Sequence, residues 1–413
     1  MKRINRLLQS IIFAKQPSFI ISARYLYNFS DTYIKTHRAI FLKSFGRVDL
    51  IAINLLAIFK WIGWYAWMTS YKTTKATSIQ KLNEAAIKNK FSLYLRLVKL
   101  AIFNFIPPYY YFKYKLYEND FIYFFYGKQN SLLHAYSDRS FKQSKKIIQL
   151  ISDKYAFLEF LDKNDIQTNY SYKVSLDEIF ADHGIVFRQQ KIFCKPNVAS
   201  RSTGALFIDY DTSTQDYRLV TLVDKKEVSG KTNILDFIQR YYASDEVLLV
   251  EEFIEDDDDI NKISQHPTDS TTIRIITAVV DRNNFAPQAI YIQLEIPILE
   301  NNNQQQFYNT LPLDVATLNI DLTNMPDFEG KQKFADMQLS PTIKHKIYAA
   351  IDKCTKTHEM LPVRAIAFDI ILSPLQPIII EANYNWDIDI LYRSYRPNQT
   401  QNTIIAQEWL ENL

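Results

Sequence analysis

Glycine is scarce, with seven in 413 residues. A backbone that must approach a bound group closely does so most easily at glycine, so loops in this chain have few such places. Cysteine is nearly absent. The two present, Cys194 and Cys354, set no disulfide framework, fit a reducing compartment and lack zinc-site spacing. Uninterrupted apolar runs are missing as well. The opening MKRINRLLQSIIFAKQP imitates a signal peptide, but Gln9 breaks its apolar run, which ends at Lys15 with no small-residue cleavage site. Secretion is not expected. The most apolar stretch, Ile51 to Met68, is about the minimum length for a span, yet Lys60 sits near its middle and Asp49 just before it.

Aromatics are abundant, with 27 Tyr and 27 Phe, while 47% hydrophobic and 23% charged residues are ordinary for a folded protein. The length suits more than one domain. The net charge of +3 conceals a division. Residues 1–130 hold 20 Lys/Arg against 5 Asp/Glu, and the remainder holds 28 against 40. Two modules are expected: a basic, aromatic, mostly helical one over 1–130, and an acidic one over 131–413.

In the first module Trp61, Trp64 and Trp67 recur every three residues, which predicts a stripe along one side of a helix. Indole beside Lys and Arg suits an anionic membrane surface, with the helix lying in the interface. A helical core or a homodimer contact accounts for the same stripe. A second aromatic patch runs from Leu97 to Phe112, ends its helix at Pro107-Pro108, and continues through Phe121 to Gly127. Basic residues among aromatics could bind single-stranded nucleic acid. The helical pattern, the lack of an RNA-binding signature and the acidic second module argue for no nucleic acid partner.

From Ser131 the composition is that of an α/β domain. Ser140 to Leu161 is helix-periodic and contains Asp153-Lys154. Lys191 to Ser200 reads as a short strand ending in Lys195-Pro196, followed by Ser/Thr-rich residues and Gly204, then a strand over Ala205 to Asp209. A strand-end lysine before a small-residue hairpin can hold a phosphate, though a lysine beside a turn is also simply solvated. Val247 to Ile254 reads as a buried strand with paired acids, and Glu255 to Asp259 as a solvated acidic loop. Arg274 is embedded in a β-branched strand from Thr271 to Asp281, where it must meet an anion, either a structural carboxylate or a phosphate.

Ala365 to Asp387 organises this module. It reads as two apolar strands joined at Ser373 to Pro377. Asp369 lies in the first strand, and Glu381 and Asn383 share one face at the end of the second. In a hairpin these three would form a hard, all-oxygen site suited to Mg²⁺ with phosphate oxygens and water. Acids at solvated hairpin ends are the alternative.

The order of these motifs resembles the ATP-grasp superfamily, and within it the sugar-transfer-associated branch linked with capsule and surface polysaccharide assembly. The motifs are Glu251-Glu252-Phe253-Ile254, Gln265-His266-Pro267, Thr272-Ile273-Arg274-Ile275, Phe368-Asp369-Ile370, and Glu381-Ala382-Asn383 with Trp386-Asp387. The resemblance runs from about Ser140 to the C-terminus. It implies an α+β, two-lobed nucleotide clamp, with linker helices and a small lobe over 131–250 and a large lobe over 251–413. Lys154 and Lys195 would touch ATP phosphates. Glu251, Glu252 and Phe253 would form the adenine hinge, with backbone groups reading the base. Asp369, Glu381 and Asn383 would hold Mg²⁺, or Mn²⁺ in its place, and Arg274 would stabilise the transferring phosphoryl group. His266 would contact substrate or phosphate, or be structural.

The pattern is departed from in two places. The hairpin after Lys195 has one glycine, Gly204, where the family has several, with Arg201 as a charge in compensation. The segment between His266 and Arg274 is short. The implied activity is ligation: ATP phosphorylates a carboxylate, and an amine attacks the acyl phosphate. The substrates implied are a small-molecule or glycan carboxylate and an amine, at the cytoplasmic membrane face. A nucleotide-binding scaffold and a sugar or lipid kinase are the rival readings.

Overall fold

The computed structural model describes residues 55–113, 116–117, 145–181, 185–187, 189–197, 204–222, 225–243, 246–264, 269–279, 284–297, 308–322, 334–384 and 386. Outside them lie the opening segment 1–17, the aromatic run 121–127, the 130/131 boundary, Arg201, Gln265-His266-Pro267 and Asp387. The chain divides into two units, 1–140 with 387–413, and 141–386.

The first unit is helical where described. A π-turn over Trp61–Tyr65 leads into α1 (Ala66–Ala76), followed by α2 (Ile79–Glu84), α3 (Lys90–Asn104) and α4 (Tyr110–Lys113). Ser78 and Asn89 cap α2 and α3 by accepting N–H bonds from Lys81 and Ser92. Small residues Ala66 and Ser70 are buried on α1, and Leu93, Leu97 and Ala101 on α3. The three tryptophans do not share a side. Trp61 is 1% exposed and donates its indole N–H to the Ala101 carbonyl at 2.8 Å, while Trp64 and Trp67 are exposed. The π-turn is the cause. Ala66 N–H reaches back five residues to the Trp61 carbonyl, so the helix phase slips between Trp61 and Trp67. No helix among the described residues is long and apolar enough to cross a membrane.

The second unit is α+β, with antiparallel pairing throughout both sheets. It opens with α5 (Lys145–Ser152) and α6 (Lys154–Lys163). The expected single helix breaks at Asp153, whose side chain caps α6 by accepting from Ala156 N–H. Next come β1 (Ser171–Ser175), α7 (Leu176–Ala181), β2 (Lys191–Pro196), β3 (Leu206–Asp211), β4 (Asp216–Thr221), β5 (Glu227–Ser229), α8 (Lys231–Tyr241) and β6 (Val247–Glu252). These strands form one sheet in the order β1-β6-β2-β3-β4-β5. Strand β6 crosses the 250/251 division and belongs to this first sheet.

The rest is α9 (Asp258–Ser264), β7 (Thr272–Val279), β8 (Pro287–Pro297), β9 (Tyr308–Leu313), α10 (Pro341–Glu359), β10 (Ala365–Leu372) and β11 (Pro377–Asn383). Its sheet order is β11-β10-β7-β8-β9. Alternation sorts the two faces of this sheet. Ile273, Ile275, Ile292, Leu294, Phe368 and Ile370 join one apolar core with α6 and α10 residues such as Phe157 and Ile347. Arg274, Gln293, Glu295 and Asp369 occupy the alternate positions, and so carry the polar face.

The acidic run after β6 is not a solvated loop. Asp256 and Asp257 are buried, and α9 begins at Asp258. Repulsion within the run is offset because most of its acids have their own cation. Glu255 pairs with Lys191, Asp257 with Lys346 and Asp259 with Lys262. Lys346 also donates to the Ser373 and Pro374 carbonyls at 2.9 and 2.7 Å, tying the run to the β10–β11 turn.

Candidate functional site

The β10–β11 hairpin sets the centre of the site. Asp369 stands directly opposite Glu381, and Ala367 opposite Asn383, with a bulge after Asp369. On its other side Asp369 faces Arg274 of β7. The guanidinium donates from Nε to Asp369 Oδ1 at 2.8 Å and from Nη2 to Oδ2 at 2.9 Å, a two-pronged contact. Its Nη1 lies 3.0 Å from Glu295. The Asn383 amide donates to Asp369 Oδ2 at 3.2 Å. Burial disfavours the charge on Arg274, but Asp369, then Glu295 and Glu381, overcome it and raise its pKa.

Lys154, the first residue of α6, is buried and places Nζ 3.4 Å from Glu381. Lys195, near the end of β2, is buried and lies 2.7 Å from Glu251 of β6. Burial pulls the Lys195 pKa down, yet the Glu251, Glu381 and Asp369 carboxylates more than reverse it. Lys195 therefore senses acids of both sheets. Lys154, Lys195, Arg274, Glu251, Asp369 and Glu381 form one linked set of charges, with the neutral Asn383 amide bonded to Asp369.

Glu252 and Phe253 lie outside that set. Glu252 is exposed, and its N–H donates to the Tyr170 carbonyl at 3.2 Å. Phe253 N–H donates to the Lys191 carbonyl at 3.2 Å, and its ring meets Phe207 edge-on at 4.9 Å. These two N–H groups are thus engaged within the fold, so a base would be read here through other groups. Glu251 Oε1 is buried without a hydrogen-bond partner. That is an acceptor open to a donor such as the amino group of a base.

The donor chemistry of Asp369, Glu381 and Asn383 fits Mg²⁺ or Mn²⁺. They are hard oxygen ligands on neighbouring strands, without thiolate or imidazole among them. Among the described residues no three His, Cys, Asp or Glu side chains converge to hold an ion. A metal held by these three would take the rest of its shell from phosphate oxygens and water.

Two groups of residues escaped the sequence reading. Asn197 lies just past β2 and is buried. Its Oδ1 accepts from Tyr155 N–H at 3.0 Å, and its Nδ2 donates to Asp153 Oδ1 at 3.0 Å. It ties the start of α6, and so Lys154, to the end of β2, and so Lys195. Burial works to raise the Asp153 pKa, but bonds from Ala156 and Asn197 hold it low. The second group is Tyr291, Gln293 and Glu295 on β8. Tyr291 donates to Gln293 at 2.8 Å and Gln293 to Glu295 at 2.5 Å. Their period-two alternation with Ile290, Ile292, Leu294 and Ile296 was the available signal. Cys194, beside Lys195, is an inert core thiol, pushed up to about 12 by burial and then by Glu251.

No protein-family model and no curated protein matches the chain. Solved structures do. A D-alanine–D-alanine ligase from Bacillus anthracis is 12% identical over 64% of this chain and 67% of that one, with a TM-score of 0.38. D-alanyl-alanine synthetase A from Vibrio cholerae is 11% identical over 64% and 65%, at 0.39. The ATP-grasp ligase PsnB, complexed with minimal precursor, Mg and ADP, is 13% identical over 64% and 61%, at 0.35. For the last two the match spans less than two thirds of the other chain. Likenesses this distant leave the activity to be argued from the residues.

Proposed function

We propose that this chain is an ATP- and Mg²⁺-dependent carboxylate–amine ligase that works through an acyl phosphate. The observation that carries this is the contact of Lys154 with Glu381 and of Arg274 with Asp369, with the Asn383 amide on Asp369 and the Lys195 pKa raised by Glu251 and by those same acids. A triphosphate with its metal would use both signs of charge at once. The buried lysines would hold phosphate oxygens, and the acids and amide would hold the ion. Mg²⁺ bound there would neutralise charge on the phosphates.

The chemistry then asks for position and charge rather than a protein nucleophile. A carboxylate oxygen of the substrate attacks the γ-phosphorus, and the bond to ADP breaks. The amine nitrogen attacks the acyl carbon, loses a proton, and inorganic phosphate leaves. Arg274 is fixed by Asp369 and Glu295 on the polar face of the sheet, where it can face a transferring phosphoryl group. Lys195 holds the phosphate from the other sheet. The motif order supports the finer reading, in which an amino acid or other amine joins a sugar acid or peptide-like precursor of a surface polysaccharide. Two free, buried cysteines fit a cytoplasmic setting.

The test is Mg²⁺-dependent ADP release by the full chain with pooled amines and uronic acids or glycan precursors. ADP release that needs both substrates and vanishes in Glu381→Gln is expected, with hydroxylamine in place of the amine trapping the acyl phosphate as a hydroxamate. Nucleotide binding without release under any pool would favour a scaffold. A product resistant to hydroxylamine would favour a kinase. No binding of Mg-ATP would remove the reading.

A further inference from the structure

The first unit leaves a broad apolar surface uncovered. On the helical segment from residue 55 through α1, Leu55, Phe59, Ile62, Trp64, Trp67 and Tyr71 are exposed, Phe59 at 72% and Trp64 at 61%. On α3, Phe91 at 70%, Leu95 and Phe103 are exposed as well. These are large side chains on helical segments whose other sides are already packed. The buried faces carry Trp61, Ala66 and Ser70 on one side, and Leu93, Leu97 and Ala101 on the other. The exposed set is therefore surface rather than a poorly filled core. Scattered exposed apolar residues need no explanation, but these six large ones along the single helical stretch 55–71, with three more on the helix packed against it, do.

Charge indicates what covers it. Residues 55–113 hold nine Lys/Arg and one acid, Glu84. Among the described residues Lys72, Lys75, Lys81, Lys88, Arg96 and Lys99 enter no ion pair. Lys72 and Lys75 lie on α1 next to Tyr71, and Arg96 and Lys99 lie on α3 between Leu95 and Phe103. A second copy of this face would bring the same unpaired cations together, and lysine is depleted at the centre of protein interfaces. A surface with apolar depth and negative charge is complementary to both features.

We propose that this face docks in the plane of an anionic lipid bilayer, with the aromatic and aliphatic side chains in the headgroup–acyl boundary and the lysines and arginine at the headgroups. Peripheral docking agrees with the absence, among the described residues, of any helix able to cross a membrane. Trp64 and Trp67 suit that boundary, since indole combines an apolar body with one polar N–H. The face and the nucleotide site belong to different units, so its test does not depend on the ligase chemistry.

The experiment is co-sedimentation of the full chain with phosphatidylcholine vesicles, with and without phosphatidylserine, at low and high salt. Binding to the phosphatidylserine vesicles, weakened by salt and accompanied by a blue shift of tryptophan emission, is expected. The triple variant Phe59→Ser, Trp64→Ser, Phe91→Ser should lower partitioning by roughly tenfold or more. The variant Lys72→Glu, Lys75→Glu, Arg96→Glu should abolish the preference for anionic vesicles. All six positions are exposed or on helix surfaces, and an unchanged melting temperature would show that each variant folds. No binding to either vesicle, equal binding to both, or binding unaltered in both variants would overturn the proposal. So would a dimer that the apolar variant dissociates, because the face would then be a self-contact.

Discussion

Replacing Asn197 by Ala tests whether the start of α6 is held for the sake of Lys154. The side chain makes two 3.0 Å hydrogen bonds, from Tyr155 N–H and to Asp153 Oδ1. Each is worth about 1 kcal/mol net, and a buried donor left alone costs about 1–3 kcal/mol more. Asn197→Ala should thus cost roughly 3–5 kcal/mol, which for a unit of this size lowers the melting temperature by roughly 6–20 °C. Loss of stability alone would not show positioning. Lys154 lies between the two anchored residues, so a shift of the helix start moves its ammonium away from Glu381. A displacement near 1 Å at such a site can cost about a hundredfold in rate. Calorimetric Mg-ATP binding to the folded variant, below its melting range, should be weaker by roughly tenfold or more. Asn197→Asp separates the roles further. It keeps the acceptor for Tyr155 N–H but opposes Asp153 with a second carboxylate, and the two repel once both are ionised. Relative to the unaltered chain, its Mg-ATP affinity should therefore recover below about pH 5 and fail at neutral pH. Wild-type Mg-ATP binding with equal affinity in folded Asn197→Ala would refute the positioning argument while leaving the nucleotide site intact.

Removing Arg274 should be worse than removing its pair. Arg274→Met leaves Asp369 buried without its cation and should cost about 3–5 kcal/mol by denaturant unfolding, whereas Arg274→Met with Asp369→Leu should recover part of that loss and stay inactive. His358 is buried, with Nε2 2.8 Å from the Val363 carbonyl and Nδ1 2.7 Å from Thr277 Oγ1, and burial pushes its pKa down to about 4. The unfolded chain then binds more protons between pH 6.5 and 4, so this group's contribution to stability falls as pH drops through that window, by about 3 kcal/mol at the limit, and His358→Gln should flatten the dependence. Asp256 has the opposite sign: burial raises its pKa to about 7, and its Oδ1 has no partner. Its penalty grows as pH rises from about 4 to 7, so Asp256→Asn should gain about 1–4 kcal/mol at pH 8 and little at pH 4. Glu381→Gln should leave the melting temperature within a few degrees, since the side chain is partly exposed, while abolishing ADP release.

Features set by neighbouring residues could be read from the chain, and those set by distant ones could not. The hairpin carrying Asp369 and Glu381 was legible because a short polar turn joins two apolar strands, which fixes register locally. Arg274 was legible because a guanidinium among isoleucines demands an anion, although its choice of Asp369 over other acids depends on a strand 95 residues away. The break at Asp153 was hidden for the same reason. Apolar spacing continues through it, and what stops the helix there is a cap reinforced by Asn197, 44 residues on. The acidic run misled because clustered like charges do repel, unless partners come from elsewhere. Asp257 finds Lys346 at a separation of 89 residues. The tryptophan stripe failed differently: its period was right for an α-helix, and the π-turn over Trp61–Tyr65 changed the period. That slip also decides which indoles are buried. It turns Trp61 into the helix pair and leaves Trp64 and Trp67 exposed, as Phe59 is. One local irregularity thus serves both readings of the stripe, since the same short segment supplies a core residue and an exposed aromatic face. A regular α-helix would have kept the three indoles nearer one side, where one environment would have had to serve all three.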